Sequence, residues 1–179
     1  MRWGRHILAG LIGAAVLAGS IPVHAAVSEA DVKAAFLPRF ARYVTWPPSA
    51  APSGSSPYVL CVIGGDPFGG GLDSAARSQS VDGRRIVVRH LDSSGSAGQC
   101  HIAYVTGGRG QSVSQILAAL RGKPVLTVTD SRNGGDRGMI HFATVDGRVR
   151  FYIDEAEASS DGISISSRLL ALAIGVRQR

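Results

Sequence analysis

Four short runs of β-forming apolar residues, at 58–63, 86–91, 101–106 and 124–129, are separated by stretches long enough to hold a helix. This spacing constrains the fold more than anything else in the chain. A strand that is apolar throughout suits burial on both faces, and such strands need helices above and below them. The connections from 63 to 86 and from 106 to 125 have room for right-handed crossovers. A further pair of β-runs, 139–145 and 148–153, flanks Asp146-Gly147, which signals a tight hairpin. The expected architecture is a three-layer α/β sandwich. It has a mainly parallel sheet of five to six strands, the antiparallel hairpin at one edge, and helices on both faces.

Helical periodicity brackets these strands. Ser28 stands as an N-cap before Glu29 and Asp31. Val32, Ala35, Phe36, Phe40, Tyr43 and Val44 then recur at helical spacing. Pro38 falls inside this pattern and should kink it, because its ring removes the bond to residue 34. Trp46-Pro47-Pro48 closes the helix, and 49–57 reads as a linker. A short amphipathic helix is expected at 113–120, after Gly107-Gly108-Arg109-Gly110. The last element, 166–176, reads as a helix apolar on every side, which implies burial in the fold or in a contact.

The first 25 residues have a separate logic. Arg2 and Arg5 precede an uncharged run from 7 to 21, then Pro22, then Val23-His24-Ala25. A basic start, a short apolar stretch and small residues at a cut site form an export signal peptide. The run is shorter than the roughly 20 residues a spanning helix needs. A leader at 1–25 and a single domain at 26–179 are therefore expected. Loss of Arg2 and Arg5 lowers the excess of basic residues from six to four. The remaining arginines are spread out and form no nucleic-acid motif, so nucleic acid is not an expected partner. With 45% hydrophobic residues the chain is no candidate for disorder.

Export also decides how the two cysteines read. In an oxidising compartment Cys61 and Cys100 are most simply a disulfide. Other chemistry is sparse. Gly64 to Gly69 has the spacing of a phosphate loop, but Gly70 stands where lysine is needed. That segment reads as a strand-to-helix turn with Asp66 as N-cap. His90, His101 and His141 share no ligand spacing, no Gly-x-Ser-x-Gly elbow is present, and no nucleophile–base set is visible. Neither an enzyme nor a resident metal or cofactor is expected. Arg148 and Arg150 alternate with Val149 and Phe151 and share one strand face.

Several segments together resemble the YfiR-like family of exported bacterial proteins. They are Val32-Lys33-Ala34-Ala35-Phe36-Leu37 with 40–47, Leu60-Cys61-Val62-Ile63-Gly64 with Asp66-Pro67-Phe68, and Gln99-Cys100-His101-Ile102-Ala103-Tyr104-Val105. Gly138-Met139-Ile140, 148–154 and 165–173 complete the series. The resemblance implies a periplasmic regulator that binds and represses the periplasmic domain of a membrane diguanylate cyclase. It would lower cyclic di-GMP and biofilm formation. It also implies a homodimer, an outer-membrane lipoprotein able to sequester it, a Cys61–Cys100 disulfide, and a small-ligand site near residues 163–168. The chain has no cysteine after Cys100, so a second redox pair known in some members is absent. The apolar, aromatic face of the opening helix, more than a small domain must bury, makes Phe36, Phe40 and Tyr43 the expected partner contacts. Arg150, Ser164, Ser166 and Arg168 are the expected contacts of an amino-acid or nucleotide-like ligand. The alternative function is a ligand-binding sensor, its crevice lined by the glycine-rich loops at 64–71, 107–110 and 133–138.

Overall fold

The computed structural model describes residues 27–178; the expected leader lies outside them. The elements run α1 (Glu29–Phe40), β1 (Val44–Thr45), β2 (Tyr58–Gly64), α2 (Gly71–Arg77), β3 (Ser80–Val81) and β4 (Arg84–Leu91). They continue with β5 (Ile102–Gly107), α3 (Val113–Leu120), β6 (Leu126–Asp130), β7 (Ile140–Val145) and β8 (Arg148–Asp154). The chain closes with α4 (Glu155–Ser160), β9 (Ser164–Ile165), α5 (Ser167–Leu170) and β10 (Gly175–Arg177). Among the described residues no helix is long and apolar enough to cross a membrane.

Eight strands form one sheet in the order β10-β8-β7-β6-β5-β2-β4-β3. The pairs β4-β2, β2-β5, β5-β6 and β6-β7 are parallel, and β7-β8 is the expected antiparallel hairpin. Alternation along the strands sorts the core into two layers. Leu60, Val62, Ile102, Tyr104, Leu126, Val128, Ile140, Phe142, Phe151 and Ile153 pack with residues of α1 and α2 on one face. Cys61, Ile63, Ala103 and Val105 pack with Val113, Ile116 and Leu120 of α3 on the other. The three-layer α/β sandwich expected from the strand spacing is the observed fold.

Local signals place the helix starts. Ser28 and Asp31 form a reciprocal capping box at α1, and Ser112 with Gln115 does the same at α3. Asp66, expected to cap α2, instead accepts the Phe68 N–H at 2.8 Å, and Gly70 is the N-cap. Gly64 is glycine for a packing reason: a Cβ there would lie 2.0 Å from the Gly107 carbonyl oxygen. The phosphate-loop spacing thus reflects two loops in contact. α1 continues through Pro38 and ends two residues later, tightening into a 3₁₀ turn at Ala41–Tyr43. The proline sits so near the end that little of the hydrogen-bond ladder remains to be lost.

The closing part departs most from expectation. The all-apolar helix expected at 166–176 ends at Leu170, and the chain turns back as β10, parallel to β8. Gly175 permits this, because a Cβ there would lie 2.9 Å from the Tyr152 ring. The hairpin is therefore not at the sheet edge. β1, β3, β9 and β10 were not expected, being two or three residues long and too short to carry periodicity.

Candidate functional site

The 3₁₀ turn after α1 delivers the chain to β1, which pairs antiparallel with β9: Val44 faces Ile165 and Thr45 faces Ser164. The Ser166 N–H then donates to the Tyr43 carbonyl at 2.8 Å. Two residue groups distant in sequence, the end of α1 and segment 163–168, so form one continuous region. Tyr43, Ser164, Ser166 and Arg168 belong to it. The Ser166 hydroxyl accepts the Arg168 N–H and caps α5.

Arg150 does not join this group. Phe151 faces α1, so strand alternation turns Arg150 to the opposite face of the sheet. The expected grouping of Arg150 with Ser164, Ser166 and Arg168 is corrected on that ground.

The aromatic stripe of α1 is largely core. Phe40 is 1% exposed and packs 5.8 Å from Phe142 and 5.6 Å from Phe151, centroid to centroid. Phe36, half-buried, stacks on Phe40 at 6.3 Å and meets Phe151 edge-on at 6.1 Å. Tyr43 is half-buried against the same cluster. Phe40 is thus a core residue and no surface contact, because the sheet supplies two phenylalanines to cover it. Among the described residues the exposed large apolar side chains are Val27, Val145 and, together in the turn between α5 and β10, Leu172 at 60% and Ile174 at 44%. This turn is tied to the cluster, since the Ile174 N–H donates to the Phe151 carbonyl at 3.0 Å.

The glycine-rich loops do not enclose an open crevice. At the carboxyl ends of β5 and β6 the space is filled from α1 by Lys33, which is 2% exposed. Its ammonium pairs with Glu29 and with Asp130, itself 3% exposed. Asp130 also accepts the Tyr104 hydroxyl at 3.1 Å and the Arg132 N–H at 3.0 Å. Glu29 accepts the Thr144 hydroxyl at 2.7 Å and pairs with Arg132 at 3.0 Å. Only about 40 Å³ of cavity remains beside this cluster. The hydrogen bonds of Lys33 and then Thr144 hold the Glu29 carboxyl below its ordinary range. Burial, then the Asp130 charge, pushes the Tyr104 phenol far up, so it remains a proton donor. Sequence reasoning missed this cluster. The available signal was Lys33 lying one helical turn from Leu37 on the apolar side of α1.

The three histidines have unrelated surroundings. His90 is exposed beside Asp73, 3.4 Å away. His101 Nδ1 accepts the Val59 N–H at 3.0 Å, and its ring packs edge-on against Trp46 and Tyr58. His141 Nδ1 lies 2.9 Å from the Thr129 hydroxyl. Burial is the main cause lowering the pKa of both His101 and His141. The unfolded chain therefore takes up protons at these sites near their ordinary pKa of about 6.5, before the folded chain does. Stability from these two groups is complete above that pH and is lost as pH falls below it. The melting temperature should drop between pH 7 and about 5.5. The His101→Asn, His141→Asn double variant should flatten that slope, and an unchanged slope would assign it to other groups.

Residues 30–174 match the family described as YfiR/HmsC-like. The chain belongs to this family. The match covers most of the chain and every element from α1 to α5, in agreement with the segments that carried the resemblance. Comparison with curated proteins finds no match. Membership of this YfiR/HmsC-like family, which is regulatory and non-catalytic, points to a periplasmic regulator of cyclic di-GMP signalling. The expected Cys61–Cys100 disulfide is formed, with Cα atoms 5.9 Å apart.

Proposed function

We propose that this protein binds the periplasmic domain of an inner-membrane diguanylate cyclase and represses it, lowering cyclic di-GMP and biofilm formation. The observation that carries this reading is the exposed apolar pair Leu172 and Ile174. It sits in the turn held by the Phe151 carbonyl, in a family of signalling regulators. Apolar side chains in such a place gain from being covered by a partner. Repression requires that the protein bind the inactive arrangement of the cyclase more tightly than the active one. An outer-membrane lipoprotein competing for the same face would relieve repression. The homodimer implied by the family belongs to the same reading.

Deleting the gene should raise cyclic di-GMP, and unchanged levels would count against repression. Leu172→Asp with Ile174→Asp should abolish co-purification of the cyclase from solubilised inner membrane. Both sites are exposed, so thermal stability should move little, by about 0.5 kcal/mol each. Retained co-purification would remove this surface from the reading.

A further inference from the structure

The apolar core on the α3 face contains no residue of β7, β8 or β10. On that side the sheet presents His141, Tyr152 and Asp154, outside the apolar layer that α3 covers. Here lies a cavity of about 350 Å³, lined among others by Arg137, Gly138, His141, Tyr152, Asp154 and Arg177. It is at the amino end of β7, on the sheet face opposite the Lys33 cluster, with His141 paired to Thr129, the neighbour of Asp130. Its size falls within the range of small-molecule sites.

The cavity has an uneven charge balance. Asp154 is consumed by Arg177, whose Nε donates to Oδ2 at 2.6 Å. Arg137 forms no ion pair among the described residues; its guanidinium lies 5.0 Å over the Tyr152 ring. That leaves one uncompensated cation at the mouth. In the floor, His141 is 4% exposed and faces Tyr152 across the hairpin. The Thr129 hydroxyl accepts the Gly138 N–H at 2.9 Å and lies 2.9 Å from His141 Nδ1. The Thr129 hydroxyl keeps its own proton free to donate to Nδ1, and in that tautomer the imidazole proton lies on Nε2. The walls approach closely because Gly138 and Gly175 have no side chains. A Cβ on Gly138 would lie 2.9 Å from the Thr127 carbonyl.

We propose that this cavity is a binding site for a small oxyanion-bearing molecule, a carboxylate or a phosphate ester, held by the Arg137 guanidinium and the His141 imidazole. A guanidinium suits either oxyanion bidentately. The floor histidine adds a neutral donor, and Tyr152 offers a flat surface beside the charge. The site adjoins the face assigned to the cyclase, since Gly175 follows Ile174, but its anion-holding side chains differ, so the Arg137 and Leu172/Ile174 variants test the two readings independently.

The test is titration of the isotopically labelled protein with acetate, benzoate, inorganic phosphate and phenyl phosphate, followed by amide NMR, with chloride at equal ionic strength as control. The expected result is saturable shifts at Gly138, Tyr152 and Gly175 for at least one anion and none for chloride. The acetate–benzoate and phosphate–phenyl phosphate pairs separate the two oxyanion classes. Arg137→Gln should weaken binding at least tenfold, while Arg150→Gln, on the same sheet face, should leave it unchanged. Arg137 is exposed, and the thermal melt of its variant checks that folding is intact. No saturable shift with any of the four anions would overturn the proposal. So would equal affinity in the Arg137 variant, or shifts centred on Ser164 to Arg168.

Discussion

Lys33→Met is expected to lower stability by about 3–5 kcal/mol, the cost of leaving a buried charge without its partner. The cause lies in Asp130, which is buried at the end of β6. Without the ammonium it keeps only the Tyr104 hydroxyl and the Arg132 N–H as donors. Two neutral hydrogen bonds do not replace the solvation of a carboxylate. Such a loss is a large share of the total stability of a domain this size, about 5–15 kcal/mol. The double variant Lys33→Met, Asp130→Asn should be markedly more stable than Lys33→Met alone, since no uncompensated charge remains in the interior. Urea denaturation of the three proteins measures both differences. A Lys33→Met loss under about 1 kcal/mol, the range of surface pairs, would show that the pair behaves as solvated.

The second large effect concerns the staple on the other face of the sheet. Cys61 on β2 and Cys100 before β5 close a loop across 39 residues. The chain-entropy relation gives such a loop about 4 kcal/mol of stabilisation, by restricting the unfolded chain. Both sulfurs lie in the apolar layer under α3. Alanine at both sites therefore leaves no buried hydroxyl to complicate the comparison. The double alanine variant should melt roughly 10 °C below the parent. Dithiothreitol should lower the parent's melting temperature by a similar amount and leave the variant's unchanged. Equal sensitivity to reductant in both proteins would show that the bridge is not the source of the effect.

These two sites differ in how far they could be read without a structure. The disulfide followed from export and an even cysteine count. The Lys33–Asp130 pair joins residues 97 positions apart, and neither carries a motif. Capping at Ser28, the Asp-Gly hairpin and the four buried strands were all legible, because each depends on neighbours within a few positions. The aromatic periodicity of α1 was read correctly as an apolar face, but its partner was not visible. Phe142 and Phe151, more than a hundred residues away, turned Phe40 from an expected contact into core. The closing segment was misread for a related reason. A run as apolar as 169–176 satisfies helix and buried strand alike, and the open side of β8 decided for the strand from Gly175 onward.

The amino-acid sequence by itself determined the layer architecture, the cap of α1, the hairpin, the staple and the family, since periodicity, capping chemistry and cysteine count act locally or through composition. Only the tertiary structure decided which apolar residues stay outside and where a cavity remains. It filled the crevice at the carboxyl ends of the strands with Lys33 and left Leu172 and Ile174 uncovered. It also left His141 and Tyr152 outside the apolar layer that α3 covers. Exposure and electrostatic pairing depend on what the rest of the chain brings to the same place, and that is set by long-range packing rather than by any stretch of residues.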